Sequence, residues 1–163
     1  MNAITDQEAR TLQRISEMVD PEGLEQIAAN ASGRSPVVEL AALRRLAAVS
    51  PKHAGGTIEH ACWAMVHAVE ALRRLSGRKA WRMNRLRPKI QAEGEIAALE
   101  YCASYETEGF AEVLAYGAPE LTAEAIALAH PQHFSDAALE AARARLLEAG
   151  VQLDDAGRVV ARV

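Results

Sequence analysis

The sequence has few aromatic residues and no long apolar run. Phe, Trp and Tyr together make up 4% of the 163 residues, and alanine supplies 34 of the 81 residues counted as hydrophobic. The best apolar stretch, residues 61–69, is interrupted by His67 and falls short of the ~20 residues that span a bilayer. We therefore expect no membrane span, and a core of Leu, Val and Ile side chains on helices that alanine lets approach closely.

Cysteine is equally scarce. Cys62 and Cys102 are the only two cysteines, and without a CxxC spacing they match neither a zinc site nor a redox motif. We expect both to be small buried residues. The first eight residues also lack the basic start and apolar stretch of a secretory signal. Together these features predict a cytoplasmic protein.

Motifs of known chemistry are missing too. The patterns GxSxG, GxGxxG and GxxxxGK[ST] do not occur, and no serine or cysteine nucleophile stands beside a recognisable base. The sequence predicts no catalytic residue, no metal site and no cofactor, and it favours a protein that is not an enzyme.

Clear helix start signals punctuate most of the chain. Each is a capping residue followed by a proline or by an apolar helical repeat. The signals are Thr5 with Glu8, Asp20-Pro21, Ser35-Pro36, Thr57, Thr122 and Ser135. They predict one all-α domain over residues 1–163, with eight or nine short helices packed as helical hairpins. Residues 151–163 alternate weakly between polar and apolar, which predicts a small C-terminal β-hairpin or a flexible tail.

Charge is distributed unevenly along the chain. The formal net charge is −4, which alone disfavours a polyanion as partner. Residues 73–89, which we call the basic segment, carry eight Lys or Arg residues and no Asp or Glu. The rest of the chain holds the other 10 basic residues and all 22 acidic ones, so +8 in the basic segment faces −12 elsewhere.

The basic segment overlaps a predicted helix over residues 78–91, with a bend or break at Pro88. If that helix stays straight past Pro88, four cations share a narrow arc, with Trp81 beside them. This predicted ridge consists of Arg78, Arg82, Arg85 and Lys89.

Three functions are compatible with these charges. The leading hypothesis is a nucleic-acid-associated protein, because arginine grips phosphate in two hydrogen bonds and an indole can stack on a base. The alternative is a protein-interaction or homo-oligomeric module that docks the cations on an acidic surface. The candidate binding residues for DNA, RNA or protein are Arg74, Arg78, Lys79, Trp81, Arg82, Arg85, Arg87 and Lys89. A competing interpretation assigns the cations no binding function. In it they pair with carboxylates of the same chain.

The third hypothesis is a helical bundle that binds a small ligand, an anion or a metal. A loop before the longest predicted helix carries a weak anion-binding pattern, because free N–H groups and the positive helix end attract anions there. Its residues are Lys52, His53, Gly55, Gly56 and Thr57. A plain turn with an N-cap explains the same residues. His60 and His67 are the other histidines that we place near this ligand.

Overall fold

The structure, a computed structural model, describes residues 3–160 and contains nine α-helices in that range. They are α1 Asp6–Glu17, α2 Pro21–Ala31, α3 Pro36–Val49, α4 Ile58–Leu75, α5 Leu86–Glu93, α6 Glu95–Ser104, α7 Glu108–Ala115, α8 Ala123–Ala129 and α9 Asp136–Glu148. Short 3-10 turns at Pro119–Leu121 and Pro131–His133 precede α8 and α9. The all-α prediction is confirmed, and none of the helices in this range is long and apolar enough to cross a membrane.

The predicted helix starts are confirmed by their hydrogen bonds. The Thr5 hydroxyl accepts from the N–H of Glu8, and the N–H of Thr5 donates to the Glu8 carboxylate at 2.9 Å. Asp20, Ser35 and Thr57 accept backbone hydrogen bonds at the starts of α2, α3 and α4 in the same way. Each cap pairs a backbone N–H that the helix itself cannot pair, a contribution of about 1 kcal/mol.

Helix α4 lies between two parts of the core. One side of it, including Val69 and Leu72, packs with buried residues of α1, α2 and α3. The other side, including Cys62 and Val66, packs with α5, α6 and α8. Extensive contacts also join α2 to α3, α5 to α6, and α8 to α9. Consecutive helices therefore pair, α4 packs against both parts of the core, and α6 also contacts α8 and α9 directly.

The predicted helix over residues 78–91 is wrong in its first half. Helix α4 ends at Leu75, and Gly77 follows with a left-handed φ of +73°. Residues 76–85 then run through turns and bends, and α5 begins only at Leu86.

Pro88 explains the late start of α5. In a continuous helix its ring would collide with the carbonyl of Asn84, and it has no N–H to donate there. In α5 it occupies the first turn, where the backbone N–H groups have no partner within the helix anyway. The predicted ridge therefore does not form as one helical face, since only Lys89 of its four cations lies on a helix. Its members were Arg78, Arg82, Arg85 and Lys89.

The predicted C-terminal β-hairpin is not supported. Leu153 and Val159 form one isolated antiparallel bridge, and residues 3–160 contain no strand. The bridge closes a turn in which the Asp154 carboxylate accepts from the N–H of Arg158 at 2.8 Å. A single bridged pair is too short to form a ladder. Residues 161–163, the end of the predicted hairpin or tail, lie outside the described residues.

Candidate functional site: a pocket beside the basic segment

Five of the eight cations in the basic segment contact carboxylates of this chain. The contacts join residues far apart in sequence, with the exception of one pair within α5. The pairs are Arg73 with Glu112, Arg78 with Glu112, Arg74 with Glu25, Arg87 with Glu70, and Lys89 with Glu93. Much of the +8 charge is therefore neutralised inside the molecule, as the competing interpretation of the sequence expected.

Arg87 makes the most buried of these contacts. Its Nε and Nη2 groups donate to the two oxygens of Glu70 at 2.7 and 2.8 Å, and Glu70 is 2% exposed. The N–H of Met83 donates to the same carboxylate at 2.9 Å. Burial alone would raise the pKa of Glu70, but the hydrogen bonds from Arg87 and Met83 outweigh it and lower that pKa. Glu70 thus anchors the loop and α5 to α4.

An arginine guanidinium lies over the ring of each of the two tryptophans. The guanidinium carbon of Arg74 lies 4.7 Å from the Trp81 ring centroid, and that of Arg87 lies 5.2 Å from the Trp63 ring. Both distances suit cation–π stacking. Trp81, predicted to help bind a partner, is thereby engaged by a residue of its own chain.

Three cations of the basic segment are left over. Lys79, Arg82 and Arg85 are exposed, and none of them has an ion-pair partner among residues 3–160. Of the three, only Arg82 borders the pocket described next.

A pocket of about 580 Å³ opens between α4, α5 and the loop before α4. We call it the α4–α5 pocket. Its lining combines cationic, aromatic, apolar and amide side chains with a single carboxylate. The lining residues are Ser50, Pro51, Lys52, His53, Trp63, His67, Arg82, Arg87, Ile90, Gln91 and Glu95.

Helix periodicity explains which side chains line this pocket. Trp63 and His67 are four residues apart on α4, and their rings lie 6.2 Å apart. Arg87, Ile90 and Gln91 follow the same three- and four-residue spacing on α5. Each helix therefore presents one face to the space between them.

Glu95 at the start of α6 organises one side of the pocket. Its Oε1 accepts from the indole N–H of Trp63 at 3.2 Å and lies 3.9 Å from Nε2 of His53. A carboxylate can accept about four hydrogen bonds, and Oε2 of Glu95 accepts none from the described part of the chain. This oxygen remains available to a donor from a ligand.

His67 lies deeper in the pocket wall than His53. Burial is the main cause that lowers the pKa of His67, and the nearby positive charge of Arg87 lowers it further. Glu70 opposes this shift only in part, so the neutral ring of His67 is favoured, and it offers one donor and one acceptor.

Only part of the predicted anion-binding loop, residues 52–57, lines the pocket. Lys52 and His53 line the α4–α5 pocket, whereas Gly55, Gly56 and Thr57 are not part of its lining. Thr57 caps α4 by accepting from the N–H of His60, which fits the plain N-cap explanation.

The other candidate residues, His60 and the two cysteines, do not line the pocket. The ring of His60 is hydrogen-bonded to the carbonyl of Ala48 at 3.0 Å, so it does not join His53 and His67. No group of three His, Cys, Asp or Glu residues within 3–160 could hold a metal ion. Cys62 and Cys102 are buried as expected, and burial raises their thiol pKa values to about 12 and about 11.

Sequence reasoning missed Ile90, Gln91 and Glu95 as site residues and did not connect Trp63 with Arg82. The i, i+3, i+4 spacing on α5 was a usable signal for one wall. Nothing in the sequence indicated that this wall faces the loop before α4.

Comparison of the chain with protein-family models, with curated proteins and with solved structures gives no match.

Proposed function

We propose that this protein binds a small organic anion in the α4–α5 pocket. The observation that carries the proposal is the pocket itself. Its volume of about 580 Å³ lies within the roughly 300–1,000 Å³ typical of small-molecule sites. Of the three sequence hypotheses, this is the one for which the geometry offers a concave site of suitable size.

The charges at the pocket favour an anion. Lys52 and Arg82 are exposed at its edge and have no carboxylate partner in the described chain. The charge of Arg87 is balanced by Glu70, so its guanidinium serves as a flat surface beside Trp63. Only Glu95 opposes an incoming anion, and one of its oxygens is occupied by the Trp63 indole.

A titration with 1-anilinonaphthalene-8-sulfonate tests this proposal, because the dye joins a flat aromatic body to one negative charge. Excitation energy should pass from Trp63 to the bound dye. Arg82→Gln should weaken binding about tenfold, since hydrogen bonds to charged groups contribute about 1.5 kcal/mol or more.

Arg85→Gln is the matched control for that titration. Like Arg82, Arg85 is an exposed arginine with no ion-pair partner within residues 3–160, but it does not line the pocket. Binding that is absent, or that falls equally in both variants, would refute the pocket as the site.

A second candidate function is contact with a nucleic-acid backbone. Lys79, Arg82 and Arg85 lie within seven residues of one another and carry exposed, unpaired charge among the described residues. Phosphates would displace counterions at these three side chains, so binding to a single strand should weaken with salt at a log–log slope of about −2.

Gel-shift titration with a single-stranded oligonucleotide at several salt concentrations separates the two functions. Arg85→Gln should weaken oligonucleotide binding while leaving dye binding unchanged. If no shift occurs at low salt, the nucleic-acid function is excluded. If Arg85→Gln has no effect on the shift, the exposed cations are not the contact.

We also infer a cytoplasmic location and one domain over residues 1–163. The two free, buried thiols support a reducing compartment. The contacts of α4 with both parts of the core support one folding unit.

A further inference from the structure

Building on the proposed anion pocket, we infer that its ligand is a nucleoside monophosphate whose base carries an exocyclic amino group. The inference rests on three different surfaces that meet in the α4–α5 pocket: a flat wall, a hydrogen-bonding edge and a cationic rim. A nucleotide presents a base plane, a base edge and a phosphate in the same molecule.

The flat wall consists of Trp63 and Arg87. The guanidinium of Arg87 is held by two hydrogen bonds to Glu70 while it lies over the Trp63 ring. Both groups are therefore fixed before a ligand arrives. Ile90 adds an apolar side chain to the lining. Because the guanidinium covers one face of the indole, a ligand ring would stack on an outer face of this fixed pair, and such stacking is favourable for any base.

The hydrogen-bonding edge consists of Gln91 and Glu95. The Gln91 amide can donate and accept, whereas the Glu95 carboxylate supplies acceptor oxygens. Its Oε2 accepts no hydrogen bond from the described chain. A ligand N–H group, such as the exocyclic amino group of adenine, can therefore donate to this oxygen.

The cationic rim consists of Lys52 and Arg82. Neither is consumed by an ion pair in the described residues, and the planar fork of Arg82 fits two oxygens of one phosphate. A ligand that has the base but lacks the phosphate would leave these two charges unused. Inorganic phosphate alone would leave the stacking wall unused.

Isothermal titration with AMP, adenosine, inorganic phosphate and purine riboside 5′-monophosphate tests each surface separately. AMP should bind at least tenfold more tightly than adenosine or phosphate. The purine riboside analogue lacks only the amino group, and it should bind about fivefold more weakly than AMP. Arg82→Gln should reduce AMP affinity about tenfold and leave adenosine affinity unchanged, whereas Arg85→Gln should change neither.

The outcomes separate this inference from the proposed function. If the dye binds in an Arg82-dependent manner but AMP binds no better than phosphate, the nucleotide is wrong and the anion pocket stands. If AMP and the purine riboside analogue bind equally, the amino-group recognition by Glu95 is wrong. If a deoxyadenosine oligonucleotide binds more tightly than AMP and its binding depends on Arg85, the ligand is a strand and not a mononucleotide. If neither dye nor AMP binds, both proposals fail.

Discussion

Glu70 on α4 and Glu124 on α8 are both almost fully buried and both paired with one arginine, yet their pKa values move in opposite directions. Glu70 receives two hydrogen bonds from Arg87 and one from the backbone of Met83, and its pKa is lowered. Glu124 receives one N–H of Arg145 at 2.5 Å. Burial raises its pKa, and a hydrogen bond from its own backbone together with the Arg145 contact only partly offsets the effect.

The contrast shows that the depth of burial and the hydrogen bonds together decide the direction in which the pKa of a buried carboxylate moves. Removing a carboxylate from water penalises its charged form in both places. Two hydrogen bonds from Arg87 and one from the Met83 backbone compensate for this loss at Glu70. One hydrogen bond from Arg145 and one from its own backbone do not compensate for it at Glu124. An ion pair observed at one distance therefore says little until all hydrogen bonds to the carboxylate are known.

The largest effect is expected for Glu70→Gln. The amide keeps one oxygen that can accept from Met83 and from Nε of Arg87, but its NH2 group would face Nη2 of Arg87. The arginine would also lose its negative partner, at a total cost of about 3 kcal/mol of unfolding free energy. Urea denaturation at pH 7 measures this. The deficit should shrink as the pH falls below about 4.5, because the stability that a lowered carboxyl pKa supplies is lost on acidification through the folded-state pKa. A loss below 1 kcal/mol would contradict the anchoring role of Glu70.

Arg87→Lys tests the two-point contact itself. Lysine keeps the charge but cannot offer two donors in one plane, so we expect a loss of about 1.5 kcal/mol. Arg145→Lys is the control, because Arg145 reaches Glu124 through one nitrogen only. Equal losses for the two variants would mean that the fork geometry is not what distinguishes the sites.

Glu124→Gln should change the stability at pH 7 by no more than about 1 kcal/mol, since a neutral side chain suits this site. The sign of its pH dependence is the sharper test. A raised carboxyl pKa gives stability that is present below the unfolded-state value of 4.5 and lost as the pH rises through the folded-state value. Relative to the unmodified protein, the variant should therefore gain stability as the pH rises from about 4.5 through the folded-state value. A relative loss over that range would place Glu124 in the same class as Glu70.

The smallest effect is expected for Glu108→Gln. This carboxylate lies 3.9 Å from Arg73 and 3.7 Å from Arg78, but its side chain is 78% exposed. Such a surface pair contributes less than about 0.5 kcal/mol, and salt should remove that contribution. Glu112→Gln should cost more, because Glu112 holds Arg73 at 2.8 Å in a more buried position. The reverse order would show that exposure is a poor guide in this region.

Local signals in the sequence predicted the helices well. The caps at Thr5, Asp20, Ser35 and Thr57 depend on neighbours within three residues, and all of them form as expected. The break in the basic segment was also local. Pro88 predicted a bend or break, and its ring also excludes the preceding turn from the helix.

The site could not be predicted in the same way. Arg74 and Glu25 are 49 residues apart, and Arg73 and Glu112 are 39 apart. No periodicity connects such residues, so the sequence could not tell a neutralised cation from a free one. The α4–α5 pocket depends likewise on how α5 lies against α4, which the burial of Ile90 and Leu86 fixes only in three dimensions.

The hydrogen bond from Met83 to Glu70 divides the connection between α4 and α5 into two unequal loops. The residues before Met83 form the longer one, and Lys79 and Ala80 at its middle are exposed. Extra residues there would add little closure entropy, about 0.6 kcal/mol for a doubling of length. Between Met83 and Leu86 the chain has only two residues, so an insertion would separate the anchor from the helix it positions. The connection therefore tolerates added residues before Met83 but not between Met83 and Leu86.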